Sequence, residues 1–134
     1  MDGMLHSPAA SGQERPAAQT ESRRAMTEAL IVFTAFASEE DATRVIRTLI
    51  EERLIACANL LPGARSLYRW KGELKDEREV VVLMKSRKQD WAALMSRLHD
   101  LHPYETPECV AVRIAAGAPR YMAWLEAMLV GEGE

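Results

Sequence analysis

The chain of 134 residues has few of the features that mark secreted, membrane or metal-cluster proteins. Its two cysteines, Cys57 and Cys109, lie far apart and form no CxxC pair, so neither a disulfide framework nor a structural zinc site is predicted. No apolar run approaches the roughly 18 to 20 residues that span a bilayer, and no basic-then-apolar signal pattern opens the chain. These absences predict a cytoplasmic protein without a membrane partner.

Charge and motif content exclude further classes of function. The net charge is −3, from 17 basic and 20 acidic residues, and no basic cluster is longer than Arg23-Arg24, so a nucleic-acid partner is not expected. The chain also lacks a P-loop, a GxGxxG turn, a nucleophile elbow and an HExxH motif. Cys57 and His102 could be drawn as a nucleophile and its base, but nothing in the sequence brings them together. We therefore predict that the protein is not an enzyme.

The composition divides the chain into a tail and one domain. Residues 1–27 hold prolines, glycines and small polar side chains and almost no large apolar ones. Such a segment cannot bury enough surface to offset the entropy of ordering, so it is predicted to be disordered. Residues 28–134 carry regular apolar patterns and are long enough for a single modest core.

The domain begins with a short apolar run, Ala29 to Phe36, whose β-branched and aromatic residues are typical of a central strand covered on both faces. Ser38 offers an N-cap hydroxyl to the segment that follows, and acidic residues occupy the first turn. The remaining patterns predict, in chain order, a helix over 38–54, a strand over 55–70 at an edge or with a bulge at Pro62-Gly63, a turn at 71–76, a strand over 79–85, a helix over 91–101, a strand over 109–115 and a helix opened by Pro119.

This order, βαββαβ plus a terminal helix, predicts an α+β protein of the ferredoxin-like class with a split βαβ layout. Two helices cover only one face of such a sheet, yet the strands at 29–36 and 80–84 are apolar on both faces. The terminal helix is small, and its predicted apolar stripe is rich in aromatics and methionine. We therefore expect partner subunits to cover the second face. The residues of that stripe are Tyr121, Trp124, Leu125, Met128 and Leu129.

The densest chemistry lies at residues 102–108, HPYETPE, where two prolines make a stiff extended link between a helix and a strand. Together with ACAN at 56–59, SLYRWKG at 66–72 and EVVVLMK at 79–85, this segment makes residues 29–130 resemble the CutA divalent-cation tolerance family. The resemblance implies a homotrimer with a ferredoxin-like fold and a role in tolerance of, or response to, divalent metal ions.

A metal site is one candidate for the chemistry. The resemblance implicates cysteine and histidine in copper binding, and this chain matches at Cys57 and His102; Glu105 could complete the ligand shell. The flanking alanines predict a buried and inert thiol. We therefore expect no required cofactor, and at most weak binding of a divalent metal ion such as copper, with His102 or Glu105 contributing most.

A cleft between subunits is the other candidate. Aromatic and charged side chains on the long strands and beside the proline link are costly to bury unless they are paired. They are Tyr68, Trp70, Glu79, Lys85, Tyr104 and Glu108. They could line a small-molecule site, or they could form a polar network that sets the register of the trimer. The alternative function is thus a trimeric small-molecule-binding signalling protein, such as a sensor of a small anionic metabolite, by analogy with other ferredoxin-like trimers.

Overall fold

A computed structural model describes residues 28–131. The predicted disordered tail, residues 1–27, and the last three residues lie outside the described part of the chain. The elements are β1 (Ala29–Phe36), α1 (Glu39–Glu51), β2 (Cys57–Trp70), β3 (Glu73–Arg87), a 3-10 turn (Lys88–Asp90), α2 (Trp91–Leu101), β4 (Val110–Arg113) and α3 (Pro119–Val130).

The four strands form one antiparallel sheet in the order β2-β3-β1-β4. Strands β1 and β2 flank β3, while β3 and β4 flank β1, which is the split βαβ arrangement of the ferredoxin-like class. The predicted α+β fold with an extra C-terminal helix is therefore confirmed, and β2 occupies the predicted edge. None of the helices between residues 28 and 131 combines the length and apolar character needed to cross a bilayer.

The β2-β3 hairpin is longer than the sequence predicts. The expected turn at 71–76 shrinks to Lys71 and Gly72, whose φ angles of 51° and 83° suit a two-residue hairpin turn. Strand β3 consequently begins at Glu73 and pairs with β2 through the segment that was predicted to be turn. Apart from the exposed Leu74, this segment is polar, so it lacks the apolar alternation by which strands are recognised. Strand β4 is shorter than predicted and spans four residues.

One face of the sheet carries the main core. The hydroxyl of Ser38 accepts the Asp41 N–H at 3.1 Å and starts α1, as the sequence predicts. Helices α1 and α2 then bury their apolar sides on the even-numbered residues of β1 and β3. The buried core residues are Leu30, Val32, Phe36, Ala42, Val45, Ile46, Leu49, Ile55, Val80, Val82, Met84, Leu94 and Leu98. The spacing of apolar residues in the sequence predicts that Ile50 and Met95 also face the core, but both are exposed.

The opposite face is only partly covered, by α3, which packs Leu125 and Leu129 against Ala56. The buried side of α3 includes Met122, whereas Tyr121 and Trp124 are 42% and 41% exposed. Leu125 and Leu129 of the predicted stripe are therefore buried, whereas its two aromatic side chains lie outside the core of the single chain. Further along the same face, Leu61, Val110 and Val112 are also exposed. An apolar surface of this extent remains open to a partner.

Candidate binding cavity

A cavity of about 660 Å³ lies where residues 102–108 pass the β2-β3 hairpin. Five of the six predicted cleft residues line it together. The lining residues are Ala35, Ala37, Ser66, Leu67, Tyr68, Trp70, Glu77, Glu79, Tyr104, Glu105, Thr106 and Glu108. The sixth predicted residue, Lys85, is not among them. Whether these residues bind a ligand stays a prediction.

A β-bulge in β2 sets which side chains face the cavity. Between Leu61 and Ala64 the pairing with β3 shifts by one residue, at the Pro62-Gly63 pair. Gly63 has a φ of 82°, a conformation that glycine adopts at little cost. Beyond the bulge, even-numbered residues of β2 take the face that odd-numbered residues held before it. Tyr68 and Trp70 thereby share the face of Glu79 and reach the cavity.

The proline-rich segment is fastened to the end of β1 by His102, which is 6% exposed. Its Nδ1 accepts the Tyr104 N–H at 3.0 Å, so Nε2 carries the proton and donates to the Ala35 carbonyl at 2.7 Å. The ring also stacks on Phe36 with centroids 4.2 Å apart. Burial lowers the pKa of His102 below 6.5, although the Ala35 hydrogen bond opposes this shift. A neutral imidazole therefore positions Tyr104 over the cavity.

Two tyrosine–glutamate pairs dominate the cavity wall. The Tyr104 hydroxyl donates to Glu79 Oε2 and the Tyr68 hydroxyl donates to Glu77 Oε1, each at 2.6 Å. The bond to Glu77 is the largest cause that raises the pKa of Tyr68, to about 12. The pKa of Tyr104 is also raised. Burial is the largest cause, and the hydrogen bond to Glu79 is the second. Both phenols therefore stay protonated at neutral pH and present their protons to carboxylates.

The three predicted metal ligands do not converge. Cys57 pairs with Lys85 in the sheet, whereas the His102 contact Ala35 pairs with Val81. Lys85 and Val81 lie four positions apart on β3, about 13 Å by strand rise. Both ring nitrogens of His102 are engaged within the chain, and the exposed Glu105 lies 4.0 Å from Lys71. Over residues 28–131, no three histidine, cysteine or acidic side chains are grouped as a metal site would require. The potential donors of a single chain within this range thus do not fit copper.

Lys85 and Cys57 belong to a separate group on the partly open sheet face. The Lys85 ammonium donates to the Tyr121 hydroxyl at 3.4 Å, and the Cys57 thiol lies 3.6 Å from the same oxygen. Lys85 and Glu79 share a face of β3, but their six-residue separation spans about 20 Å. Glu79 therefore contacts Tyr104, whereas Lys85 contacts Tyr121 on α3.

Several lining residues escaped the sequence reasoning. Glu77 fell between the predicted turn and the predicted strand, and Glu105 was considered only as a metal ligand. Continuing the alternation of β3 backwards from Glu79 would have placed Glu77 on the cavity face. Nothing local in the sequence indicates the contributions of Ala35 or Ala37, because these depend on where the proline-rich segment crosses β1.

Comparison with known proteins supplies a family. The model described as CutA1 divalent ion tolerance protein matches residues 30–128. A Pectobacterium atrosepticum protein named Divalent-cation tolerance protein CutA is 40% identical over 108 residues, which cover 81% of this chain and 98% of that protein. The crystal structure of CutA from Xylella fastidiosa matches with a TM-score of 0.74 at 35% identity, covering 76% of this chain and 98% of that one. A structure from Archaeoglobus fulgidus, described as a periplasmic divalent cation tolerance protein, matches with a TM-score of 0.73 at 26% identity over 75% of this chain and 98% of that one.

Proposed function

This chain belongs to the CutA1 divalent ion tolerance protein family, and on that basis we propose that it acts in tolerance of, or response to, divalent metal ions. We further propose that it does so as a non-catalytic homotrimer that binds a small molecule. The cavity beside Tyr104 and Glu79 is the observation that carries the binding role. It has the size and the mixture of aromatic and polar walls that small-molecule sites share.

Trimer formation is supported by the surface of the single chain. Strand β2 is a long edge strand, and the sheet face beyond α3 leaves Leu61, Val110 and Val112 exposed. Edges and apolar patches of this kind favour association with other copies. Multi-angle light scattering tests the proposal directly. Three copies of the 15.0 kDa chain have a mass of about 45 kDa, and a stable monomer or dimer at micromolar concentration would contradict it.

The absence of catalysis is supported by the positions of the reactive side chains. Cys57 contacts Tyr121, while His102 donates and accepts hydrogen bonds with the backbone of the proline-rich segment and β1. Among the described residues the thiol therefore contacts no imidazole base, and the His102 imidazole has no free nitrogen with which to take a proton. Within the described range, these two residues do not form the nucleophile and base that their residue types suggested.

We propose that copper binds this protein only with low affinity. A tight site would need donors from more than one subunit or the release of His102 from both of its hydrogen bonds. Isothermal titration with Cu²⁺ on the wild type, Cys57→Ser and His102→Ala measures this. Weak binding that survives Cys57→Ser is the expected result. Loss of a tight site in Cys57→Ser, with the trimer intact, would make metal binding the leading function.

The cellular role is tested by growth of a host that lacks its own copy of the gene. Complementation with the wild-type chain should raise the Cu²⁺ concentration that halves growth, and Glu79→Gln should weaken that rescue if the cavity is used. Glu51→Gln, an exposed change on α1, is the matched control. Equal growth with and without the gene would contradict the tolerance role. We propose that the protein acts in the cytoplasm, and cell fractionation distinguishes this from the periplasmic location described for the Archaeoglobus fulgidus relative.

A further inference from the structure

We infer that the cavity beside Tyr104 and Glu79 binds an organic cation, namely a primary amine or guanidinium group carried on an apolar or aromatic body. The inference rests on the proposed binding role and adds the chemical class of the ligand. The proposed cation replaces the small anionic metabolite that was expected by analogy with other ferredoxin-like trimers. The inference is supported by the charge of the cavity, its hydrogen-bonding groups, its buried carboxylate and its aromatic walls.

The first property is the sign of the charge. Glu77, Glu79, Glu105 and Glu108 all line the cavity, whereas none of its lining residues between positions 28 and 131 is a lysine, arginine or histidine. The neighbouring Lys71 reaches Glu105 at 4.0 Å, but both side chains are more than 70% exposed. A surface pair of this kind contributes little and is easily exchanged. The negative potential of the cavity is therefore left to attract cations and to repel anions.

The second property is the direction of the hydrogen bonds. The hydroxyl protons of Tyr68 and Tyr104 are already donated to Glu77 and Glu79. The carboxylates of Glu77 and Glu79 therefore offer acceptor oxygens, whereas both phenol donors are already engaged. An ammonium or guanidinium group supplies N–H donors to carboxylates, and such charge-assisted bonds are stronger than neutral ones.

The third property is the burial of Glu79, which is 8% exposed. Its Oε2 accepts the bond from Tyr104, but no lysine or arginine in the described part of the chain lies within ion-pair distance of it. A buried carboxylate without a positive partner is costly. A ligand cation in the cavity would provide that partner, which makes Glu79 the expected centre of recognition.

The fourth property is the aromatic wall. Trp70 and Tyr68 line the cavity and are 40% and 37% exposed, so their rings are accessible to a ligand. Ring faces attract cations, tryptophan most strongly. The Lys71 ammonium already lies 5.7 Å from the centre of the Trp70 ring. This contact indicates that the ring can accommodate a cation on its surface.

The test compares three aromatic probes of similar size on the purified full-length chain by isothermal titration at neutral pH. They are benzylammonium, neutral benzyl alcohol and anionic benzoate. Benzylammonium should bind at least about tenfold more tightly than either of the others, since a desolvated charge pair commonly exceeds the free energy of a tenfold change. Glu79→Gln should remove about tenfold of that affinity. The exposed change Glu51→Gln, outside the cavity, should leave it unchanged.

A second variant protects the test against misfolding. If Glu79→Gln alters the mass of the assembly, the exposed Glu108→Gln takes its place and should also weaken benzylammonium binding. Equal or tighter binding of benzyl alcohol or benzoate would overturn the cation class while leaving the cavity as a binding site. Failure of all three probes at millimolar concentration would overturn both the inference and the small-molecule role. A crystal structure showing a lysine or arginine of a second copy against Glu79 would overturn the cation class, because the carboxylate would already have its partner, while the trimer and its tolerance role would stand.

Discussion

Tyr104 donates a 2.6 Å hydrogen bond to Glu79 and so joins the proline-rich segment to β3 across 25 positions of the sequence. His102 holds Tyr104 in place through its own bonds to the Tyr104 N–H and to the Ala35 carbonyl. The strand, the link and the end of β1 therefore meet at one carboxylate. Because this carboxylate is nearly buried and the cavity opens beside it, the same contact contributes to stability and shapes the site.

Removal of the Tyr104 hydroxyl should destabilise the fold. In Tyr104→Phe the nearly buried Glu79 loses its donor, which we expect to lower the free energy of unfolding by about 1 to 3 kcal/mol. Tyr68→Phe removes the matching bond to the exposed Glu77, where water replaces the lost donor, so little change is expected. Urea unfolding of the two variants measures the difference. Equal losses in both would mean that the burial of Glu79 does not strengthen its bond to Tyr104.

The free energy of unfolding should fall as the pH is lowered through the range in which His102 titrates. Burial depresses the pKa of His102 in the folded state below the unfolded value near 6.5, so the unfolded chain binds more protons between the two values. The stabilising effect of the neutral ring is then complete above pH 6.5 and is lost as the pH falls towards the folded pKa. Urea unfolding at several pH values between 7.5 and 5 measures the slope.

His102→Gln separates this effect from the carboxylates that titrate at lower pH. Glutamine keeps an N–H donor for the Ala35 carbonyl but does not ionise. The variant should be less stable than the wild type at pH 7.5, and its stability should change less between pH 7.5 and 5. The nearby titratable groups, Asp41, Glu79 and His99, are the same in both proteins. Parallel pH profiles would exclude His102 as the source of the slope.

The bulge in β2 should depend on the backbone freedom of Gly63. Its φ of 82° is costly for other residues, and a Cβ at this position meets nothing within 4 Å. Gly63→Ala should therefore cost about 1 kcal/mol through the backbone alone. Gly63→Asn should cost less, because asparagine adopts this conformation more readily. Thermal unfolding ranks the variants, and a harmless alanine would show that the bulge relaxes without penalty.

Deletion of residues 1–25 should leave the domain unchanged. The segment contains almost no large apolar side chains, so its removal takes no predicted core contact away. Light scattering should give the same number of subunits, and thermal unfolding the same midpoint, for the full and shortened chains. A midpoint lower by many degrees would mean that the tail packs on the domain.

The local elements could be predicted from the sequence because each depends on neighbours along the chain. The limits of β1 are as predicted, and Ser38 caps α1 through a hydroxyl three residues from the amide that it binds. The helix before His102 ends where the following proline requires an extended backbone. Such features follow from the geometry of a few consecutive residues, and the order of elements then restricts the sheet to the ferredoxin-like layout.

Contacts between distant segments were decided only by the tertiary structure. The polar extension of the hairpin carries no apolar period, so its pairing of Arg65 with Asp76 at 2.7 to 2.8 Å was not visible in the sequence. Cys57 and His102 have residue types that suit a metal, but the sheet register separates them. The cavity depends on a bulge, a buried histidine and a bond across 25 residues. A site of this kind depends on the distances between residues that lie far apart in the sequence. Local residue patterns along the chain do not give these distances.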